Sequence, residues 1–246
     1  MRLEDVAATW AAVAENPARL AKIERLAACL GRLRPDEIPI AVAYLSGELP
    51  QGAIGVGWSS LRELPAPASA PGTLELRQVD RSFTRVQAAT GRGSQRVRRQ
   101  ELADLFGRAT ENERRFLFGL LSGELRQGAL EGVMVEVIAR AANLPAAEIR
   151  RASMLAGDLR AVATAAITEG REGLGRFRLT LLSPVQPMLA QTADDLPSAL
   201  ARISPAAVEW KFDGARIQVH RSGDEVPPVT RTQGDPCQNE QRGEGT

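Results

Sequence analysis

Residues 209–221 carry the side chains best suited to covalent chemistry. They contain Lys211, Asp213 and Arg216 in the pattern Lys-x-Asp-Gly-x-Arg. Only two lysines occur in the chain, and the other basic residues are arginines, which stay protonated in proteins. A lysine amine becomes nucleophilic when burial or nearby cations lower its pKa. The pattern therefore favours Lys211 as a covalent nucleophile, although Val208–His220 is equally compatible with a plain β-hairpin that turns at the Asp-Gly pair.

A second candidate site is the basic segment of residues 81–115, which holds nine arginines and four acidic residues. Within it, residues 90–99 read Thr-Gly-Arg-Gly-Ser-Gln-Arg-Val-Arg-Arg, and Ser94 is predicted as the N-cap of the following helix. An open glycine backbone with arginines favours phosphate binding. We therefore expect Arg92, Gly93 and Ser94 to contact the backbone of duplex nucleic acid, independently of its sequence. The alternative is a solvated helix surface.

Composition sets limits on the class of protein. A length of 246 residues with 43% hydrophobic residues is sufficient for one or two domains with a real core. The two cysteines have no metal-ligand spacing, and His220 is the only histidine, expected at the surface. The aromatic content of 4% makes base stacking a poor fit and favours a duplex partner. The sequence shows no signal peptide and no apolar run of membrane-spanning length, which predicts a cytoplasmic protein without a membrane partner.

Helical periodicity dominates residues 1–170. Apolar residues recur at helical spacing, and the sequence is rich in alanine, leucine and arginine. Asn16-Pro17 is predicted as a helix start, and Thr110 with Glu113 fits a capping box. The proline-rich segment 64–72 is predicted as a loop that separates two helical sets.

The two helical sets resemble each other. When residues 22–54 are shifted by 76 positions, 13 of 33 positions are identical, which indicates a duplicated helical unit. Each copy ends in Gly-Glu-Leu-x-Gln-Gly-Ala, and Arg126 stands in the second copy. These glycines either present backbone N–H groups to phosphate or form a helix C-cap, and the C-cap is slightly favoured. We include Arg126 among the candidate DNA-binding residues.

The pattern changes after Arg176. Residues 177–182 alternate like a strand or an extended linker, Ser-Pro-Val-Gln-Pro-Met-Leu-Ala follows, and a short helix is predicted over residues 193–202. Pro227 and Pro228 disfavour a continued strand, and the polar sequence beyond them is typical of disorder. The predicted divisions are a helical domain at 1–178, a second domain at 179–226 and a disordered tail at 227–246.

Two motifs resemble those of one enzyme family. Glu-x-Lys-x-Asp-Gly-x-Arg at residues 209–216 resembles the adenylation motif of ATP-dependent polynucleotide ligases, and Pro-Met-Leu-Ala at 187–190 resembles the opening of their nucleotidyltransferase domain. With the duplicated helical unit, the chain is similar to DNA ligases of the archaeal and eukaryotic replicative type, and most similar to the actinobacterial form often called DNA ligase B. This resemblance implies a mainly α DNA-binding domain followed by an incomplete α+β nucleotidyltransferase fragment.

The resemblance also implies roles for individual residues. Lys211 would attack the α-phosphate of ATP and form lysyl-AMP, for later AMP transfer to a DNA 5′-phosphate and nick sealing. Glu209 would recognise adenine, and Arg216 and Arg231 would contact the nucleotide. The partner would be nicked duplex DNA, bound by a monomeric, nucleoid-associated enzyme of replication, repair or recombination.

The family's metal-binding carboxylates and closing domain lie downstream of residue 246. Mg²⁺ is therefore expected from the family, but its ligands are missing here, and the chain is predicted to be a truncated ligase that does not ligate alone. The alternative is a non-catalytic duplex-DNA-binding module. An RNA ligase or capping-type nucleotidyltransferase is disfavoured, because those enzymes generally lack the duplicated helical domain.

Overall fold

The structure is a computed structural model, which describes residues 1–57, 61, 72–125, 130–181, 185, 192–203, 205–207, 210, 217–224, 226 and 228–230. By its internal contacts the chain divides into two compact units, Met1–Phe177 and Arg178–Thr246. The proline-rich segment 64–72 lies outside the described residues except for Gly72.

Helices make up most of the described residues, which confirms the mainly α character of the N-terminal part. The first unit contains α1 (Leu3–Ala14), α2 (Arg19–Leu30), α3 (Ile38–Leu45), α4 (Leu76–Ala88), α5 (Ser94–Gly107), α6 (Glu111–Ser122), α7 (Leu130–Ala142), α8 (Ala146–Ala156) and α9 (Leu159–Leu174). The second unit contains α10 (Leu196–Arg202), β1 (Ile217–Val219) and β2 (Pro228–Thr230).

One apolar core holds the first unit together. Helix α2 packs on α7, α9 packs on α3, α7 and α8, and α1 packs on α2 and α6. The bulkiest side chains of this core are fully buried: Tyr44, Phe83, Phe106 and Phe116. Removal of such side chains from water is the main favourable contribution to folding. Leu20 lies in the first turn of α2 and is 75% exposed.

Local capping signals set where several helices begin. The predicted capping box of α6 is confirmed, because the Thr110 hydroxyl accepts the Glu113 N–H and the Glu113 carboxylate accepts the Thr110 N–H. Helix α2 begins at Arg19, two residues later than predicted from Asn16-Pro17. The Asn16 side chain accepts the Ala18 N–H at 2.9 Å and so forms a turn ahead of the helix.

The two Gly-Glu-Leu segments terminate helices. Gly47 follows α3 with φ of 75°, and Gly123 follows α6 with φ of 72°. In both turns the next N–H group reaches back to the last turn of the helix: Glu48 N to Ala43 O and Glu124 N to Gly119 O, both at 2.9 Å. This geometry is a Schellman C-cap, so the structure supports the C-cap interpretation at both glycines.

Two buried glutamates hold the turns that precede α3 and α6. Glu37 accepts the backbone N–H of Arg34 at 3.1 Å, and Glu113 accepts that of Thr110 at 2.9 Å. Both side chains are almost completely buried. Each carboxylate therefore satisfies a donor that the start of the helix leaves without an intrahelical partner.

The surroundings of these two carboxylates differ in charge. Burial opposes ionisation of Glu37, but hydrogen bonds from Arg34 and the Met1 ammonium lower its pKa to about 2. Burial, together with the nearby charge of Glu4, raises the pKa of Glu113, although the Thr110 N–H acts in the opposite direction. One oxygen of Glu113, Oε1, has no hydrogen-bond partner within the described part of the chain. The two glutamates thus accept the same kind of backbone N–H group. Positive charges neutralise the carboxylate of Glu37, whereas the carboxylate of Glu113 lies near the negative charge of Glu4.

The second unit contains a small antiparallel ladder. Ile217 pairs with Thr230 and Val219 with Pro228. Pro228 is thus the first residue of a strand, a position where a missing N–H is tolerated, and the predicted break at this proline is wrong. Residues 231–246 of the predicted tail lie outside the described residues.

The helix predicted for this unit is shorter than expected, and the extended segment before it agrees with a linker. Helix α10 begins at Leu196, where the Asp195 carboxylate accepts the Ser198 N–H at 2.8 Å and so caps the helix. No strand forms over residues 177–181 of the predicted extended segment.

Among the described residues, no helix is long and apolar enough to cross a membrane.

The ion pairing of Glu37 predicts a pH-dependent contribution to stability. Its pKa is depressed from 4.5 to about 2, so this contribution is complete above about pH 4.5 and is lost as the pH falls toward 2. We expect Glu37→Gln to lower the free energy of unfolding by roughly 2–3 kcal/mol near neutral pH, and by much less near pH 2.

Urea denaturation followed by circular dichroism at the two pH values measures this difference. Glu24→Gln is the control, because Glu24 is 67% exposed and forms only a 3.7 Å ion pair with Arg140. Equal destabilisation by Glu37→Gln at both pH values would contradict the assignment.

Candidate functional site

The loop between α4 and α5 has a left-handed backbone at two glycines. Gly91 has φ of 75° and Gly93 has φ of 89°. A Cβ atom added at either position would meet nothing within 4 Å, so the glycines are required by the backbone conformation and not by lack of space. The space beside both glycines is therefore open.

The helix after this loop starts differently from the prediction. Gly93 is the N-cap of α5, and Ser94 is the first helical residue with no side-chain cap bond. The reason is that the Arg96 and Val97 N–H groups donate to the carbonyl oxygen of Gly93, at 3.0 and 3.3 Å. Ser94 is half-buried at the first turn, its N–H donates to the Gly91 carbonyl at 3.2 Å, and its hydroxyl is not the cap.

Arg98 has a structural role. Its guanidinium donates to three backbone carbonyl oxygens: Ala89 at 2.8 Å, Val86 at 3.2 Å and Gly55 at 3.4 Å. Two of these carbonyls belong to the end of α4 and its exit, where the helix leaves acceptors unpaired. Arg98 therefore fixes α5 and the glycine loop to α4.

Other arginines of the basic segment also have partners within the protein. Arg85 forms a 2.8 Å ion pair with Glu101, and this partner raises the pKa of Arg85. Arg114 lies over the ring of Phe106, with 5.7 Å between its guanidinium carbon and the ring centroid.

Arg92, Arg96 and Arg99 are exposed and cluster at the start of α5. Arg92 lies in the glycine loop, and Arg96 and Arg99 are three residues apart on one side of the helix. We call these three residues the α5 arginine cluster. Together with the N-terminus of α5, the cluster combines three cations with the positive end of a helix dipole, an arrangement that suits an anion.

The remaining predicted site residues lie outside the described residues. These are Arg126 of the proposed DNA contact, and Glu209, Lys211, Arg216 and Arg231 of the proposed nucleotide site. The structure does describe Trp210, between Glu209 and Lys211, and its side chain is 87% exposed.

The strand that follows the Lys-x-Asp-Gly-x-Arg motif is tied to the Pro-Val-Gln-Pro segment. The Gln218 side chain in β1 accepts the Val185 N–H at 2.9 Å and donates to the Val185 carbonyl at 2.5 Å. The contact joins β1 to Val185, and the motif segments 187–190 and 209–216 themselves lie outside the described residues except for Trp210. The sequence gives no signal for this contact, because a glutamine on a strand is ordinarily a solvent-facing residue.

His220 differs from the expectation of a surface residue. It is half-buried, and its Nε2 atom is enclosed without a hydrogen-bond partner in the described part of the chain. The histidine follows β1 directly, so it lies close in sequence to the proposed nucleotide site.

The described residues do not form a metal site. They contain no group of three or more histidine, cysteine, aspartate or glutamate side chains that could hold a metal ion. Cys29 is buried, and burial raises the pKa of its thiol, which disfavours the thiolate that a metal would need.

Two family profiles match this chain. The profile described as "DNA ligase N terminus" matches residues 59–139, and the profile described as "ATP dependent DNA ligase domain" matches residues 187–242. The first match contains the α5 arginine cluster, and the second contains Lys211 and both strands.

Relatives with the same name extend these matches over most of the chain. A "Probable DNA ligase" of Mycolicibacterium gilvum is 54% identical over 233 residues, which are 94% of this chain and 45% of the relative. A "Probable DNA ligase" of Anaeromyxobacter dehalogenans is 52% identical over 237 residues, 94% of this chain and 46% of the relative.

The matches confirm the resemblance, and the chain belongs to the family of ATP-dependent DNA ligases. It spans slightly less than half the length of the curated relatives it matches.

The contrast between Arg98 and Arg99 gives a direct prediction. Arg98→Ala removes the three contacts to backbone carbonyls, so we expect it to lower the free energy of unfolding by about 1–3 kcal/mol. Arg99→Ala removes the same charge from an exposed neighbouring side chain and should change stability by less than about 0.5 kcal/mol. Urea denaturation of both variants measures the difference. Equal effects on stability would show that Arg98 does not fix the loop.

Proposed function

We propose that this chain acts in nick sealing, with the first unit binding duplex DNA and Lys211 accepting AMP from ATP. The observation that carries the proposal is that Lys211 lies within the segment matched by the ATP-dependent DNA ligase domain, while the α5 arginine cluster lies within the segment matched by the ligase N terminus. ATP use follows from the family, and nicked DNA is the substrate class that its chemistry requires.

The DNA contact is proposed at the glycine loop and the first turn of α5. Arg92, Arg96 and Arg99 supply charge, and Gly93 and Ser94 lie at the helix N-terminus between them. Such contacts bind phosphate oxygens and carry no base specificity. Binding would release counterions from the duplex, so its affinity should fall steeply with salt. Arg126 of the second Gly-Glu-Leu segment is proposed as a further phosphate contact.

The chemical step is proposed for the amine of Lys211. Its Nζ lone pair forms a bond to the α-phosphorus of ATP, the bond from that phosphorus to the pyrophosphate oxygen breaks, and the amine loses a proton. Glu209 is proposed to recognise adenine, and Arg216 and Arg231 to hold the nucleotide. Arginines suit this role because their fixed fork of donors matches phosphate oxygens. The described residues contain no group that could hold a metal ion, and Mg²⁺ stays an expectation from the family.

The helical repeat belongs to the same proposal. Glu37 and Glu113, like Gly47 and Gly123, are 76 positions apart, and each pair makes the same backbone contacts. These pairs support a duplicated unit whose two copies share helix caps at both ends. We also propose a helical DNA-binding domain at 1–178, a nucleotidyltransferase fragment at 179–226, and a monomeric protein associated with the nucleoid.

Binding of duplex DNA without catalysis is the second candidate. One observation favours it: the α5 arginine cluster lies in a unit with its own core, separate from the unit that contains Lys211. In that case the chain would bind DNA but would accept no AMP.

DNA binding can be tested by removing the α5 arginine cluster. The triple variant Arg92→Ala/Arg96→Ala/Arg99→Ala should weaken binding to a nicked duplex and reduce the slope of log affinity against log salt by roughly 2–3. Fluorescence anisotropy over a salt series measures both quantities. The variant Arg25→Ala/Arg150→Ala/Arg151→Ala removes equal charge from exposed positions elsewhere in the unit and should change the slope little. Equal slopes for the two variants would remove this cluster from the proposal.

Adenylation can be tested with α-labelled ATP and magnesium, followed by denaturing electrophoresis. We expect a labelled protein band that is lost in Lys211→Ala and kept in Lys22→Ala, which replaces the only other lysine of the chain. Label that remains in Lys211→Ala would reject Lys211 as the acceptor, and an unlabelled wild-type chain would favour binding alone. Sealing of a nicked duplex by the 246-residue chain would overturn the expectation that it does not ligate alone.

A further inference from the structure

The side-chain amide of Gln218 in β1 joins two distant segments of the second unit. It accepts the Val185 N–H at 2.9 Å and donates to the Val185 carbonyl at 2.5 Å, across 33 residues of sequence. Gln218 is half-buried, and hydrogen bonds are stronger where water is partly excluded. Both backbone groups of Val185 are thus satisfied by one side chain.

This contact takes the place of a backbone ladder. Residues 184–187 read Pro-Val-Gln-Pro, and the two prolines have no N–H to donate to a neighbouring strand. A carboxamide carries a donor and an acceptor at one end, so Gln218 can pair with Val185 as a strand residue would. A side chain that is shorter, or that lacks the donor or the acceptor, cannot form the same pair.

The position of β1 depends on contacts of this kind. The strand is three residues long, and in the described part of the chain it pairs with the three residues of β2. A two-stranded ladder of this size is only marginally stable in water. Val219, the last residue of β1, is 63% exposed and adds little packing. The two hydrogen bonds of Gln218 therefore hold β1 where the ladder alone would not.

The proposed nucleophile lies a short way along the chain from this contact. Lys211 precedes Gln218 by seven positions, and Arg216 precedes it by two. A shift of β1 would therefore reach these residues through a short stretch of backbone. Displacement of a reacting group by about 1 Å can slow a reaction roughly 10²-fold, even when its cause lies away from the chemistry.

We propose that Gln218 is a positioning residue for the transfer of AMP to Lys211. Its amide holds β1 and the segment 184–187 in one register, and this fixes the strand that follows the nucleophile. Gln218 acts through Val185 and β1, and not by contact with ATP. The inference rests on the proposed function, because it assigns Gln218 a part in the same reaction.

Two variants of the 246-residue chain remove the contact in different ways. Gln218→Met keeps the length of the side chain without its donor and acceptor, and Gln218→Asn keeps the amide on a side chain too short to reach Val185. Val219→Thr is the matched control, because Val219 is the next residue of β1, lies on the opposite face and is 63% exposed.

Hydrogen exchange of the Val185 amide measures the contact itself, without ATP. It can be followed by NMR on a chain that carries isotope-labelled valine. Both Gln218 variants should accelerate this exchange by about tenfold or more, because the amide loses its hydrogen-bond acceptor. Val219→Thr should leave the exchange of Val185 unchanged.

Labelling with α-labelled ATP and magnesium, over a range of ATP concentrations, measures the effect on the reaction. At saturating ATP both Gln218 variants should be labelled at least about tenfold more slowly, while KM for ATP changes by less than about threefold, because misplacement of the amine affects the transition state more than nucleotide binding. Val219→Thr should be labelled at the wild-type rate.

The possible failures separate this inference from the proposed function. Unchanged exchange of Val185 in the Gln218 variants would show that the contact does not hold the segment, and faster exchange with an unchanged labelling rate would reject the positioning role alone. A loss of label that only matches a loss of folded chain in circular dichroism would reduce Gln218 to a stabilising residue. A wild-type chain that takes no label would reject adenylation, and the role of Gln218 with it, whatever the exchange of Val185.

Discussion

Buried carboxylates that accept backbone N–H groups are the constraint on which the helical unit depends. Glu37 and Glu113 each hold the turn before a helix, and each lies within the apolar core that the helices share. Burial of a carboxylate is costly unless its oxygens are hydrogen bonded, so each turn offsets part of that cost by presenting a backbone N–H group. Glu37 meets this requirement with an ion pair, and Glu113 meets it only in part. The starts of α3 and α6 follow from this contact, and the C-caps at Gly47 and Gly123 define their ends.

Signals that extend over a few residues could be predicted from the sequence. The capping box of Thr110 and Glu113 is correct because both partners lie within one helical turn, and the C-caps follow from glycine at the required positions. Ser94 was misplaced by one position because Gly93 competes for the cap through its left-handed backbone, which no residue pattern specifies. Pro228 was expected to end a strand, but the first position of β2 requires no N–H at that residue.

The roles of side chains whose partners lie far away in the sequence could not be predicted. Arg96, Arg98 and Arg99 are equivalent in the sequence, yet only Arg98 contacts the carbonyl of Gly55, 43 residues away. The pairing of Gln218 with Val185 is likewise invisible before the chain folds. The motif around Lys211 was interpreted by resemblance, and the family matches support the chemistry of this segment without describing its geometry. Within the basic segment, Arg92, Arg96 and Arg99 are distinguished by exposure together with their place beside the glycine loop and the start of α5.

We propose that duplex DNA binds at the glycine loop and the first two turns of α5. Hydrogen exchange with mass spectrometry, on the chain with and without a nicked duplex, tests it most directly, because amides that contact phosphate exchange more slowly. We expect protection of residues 91–97 on binding, with exchange of α8 unchanged. Protection of α8 with no change at residues 91–97 would contradict it.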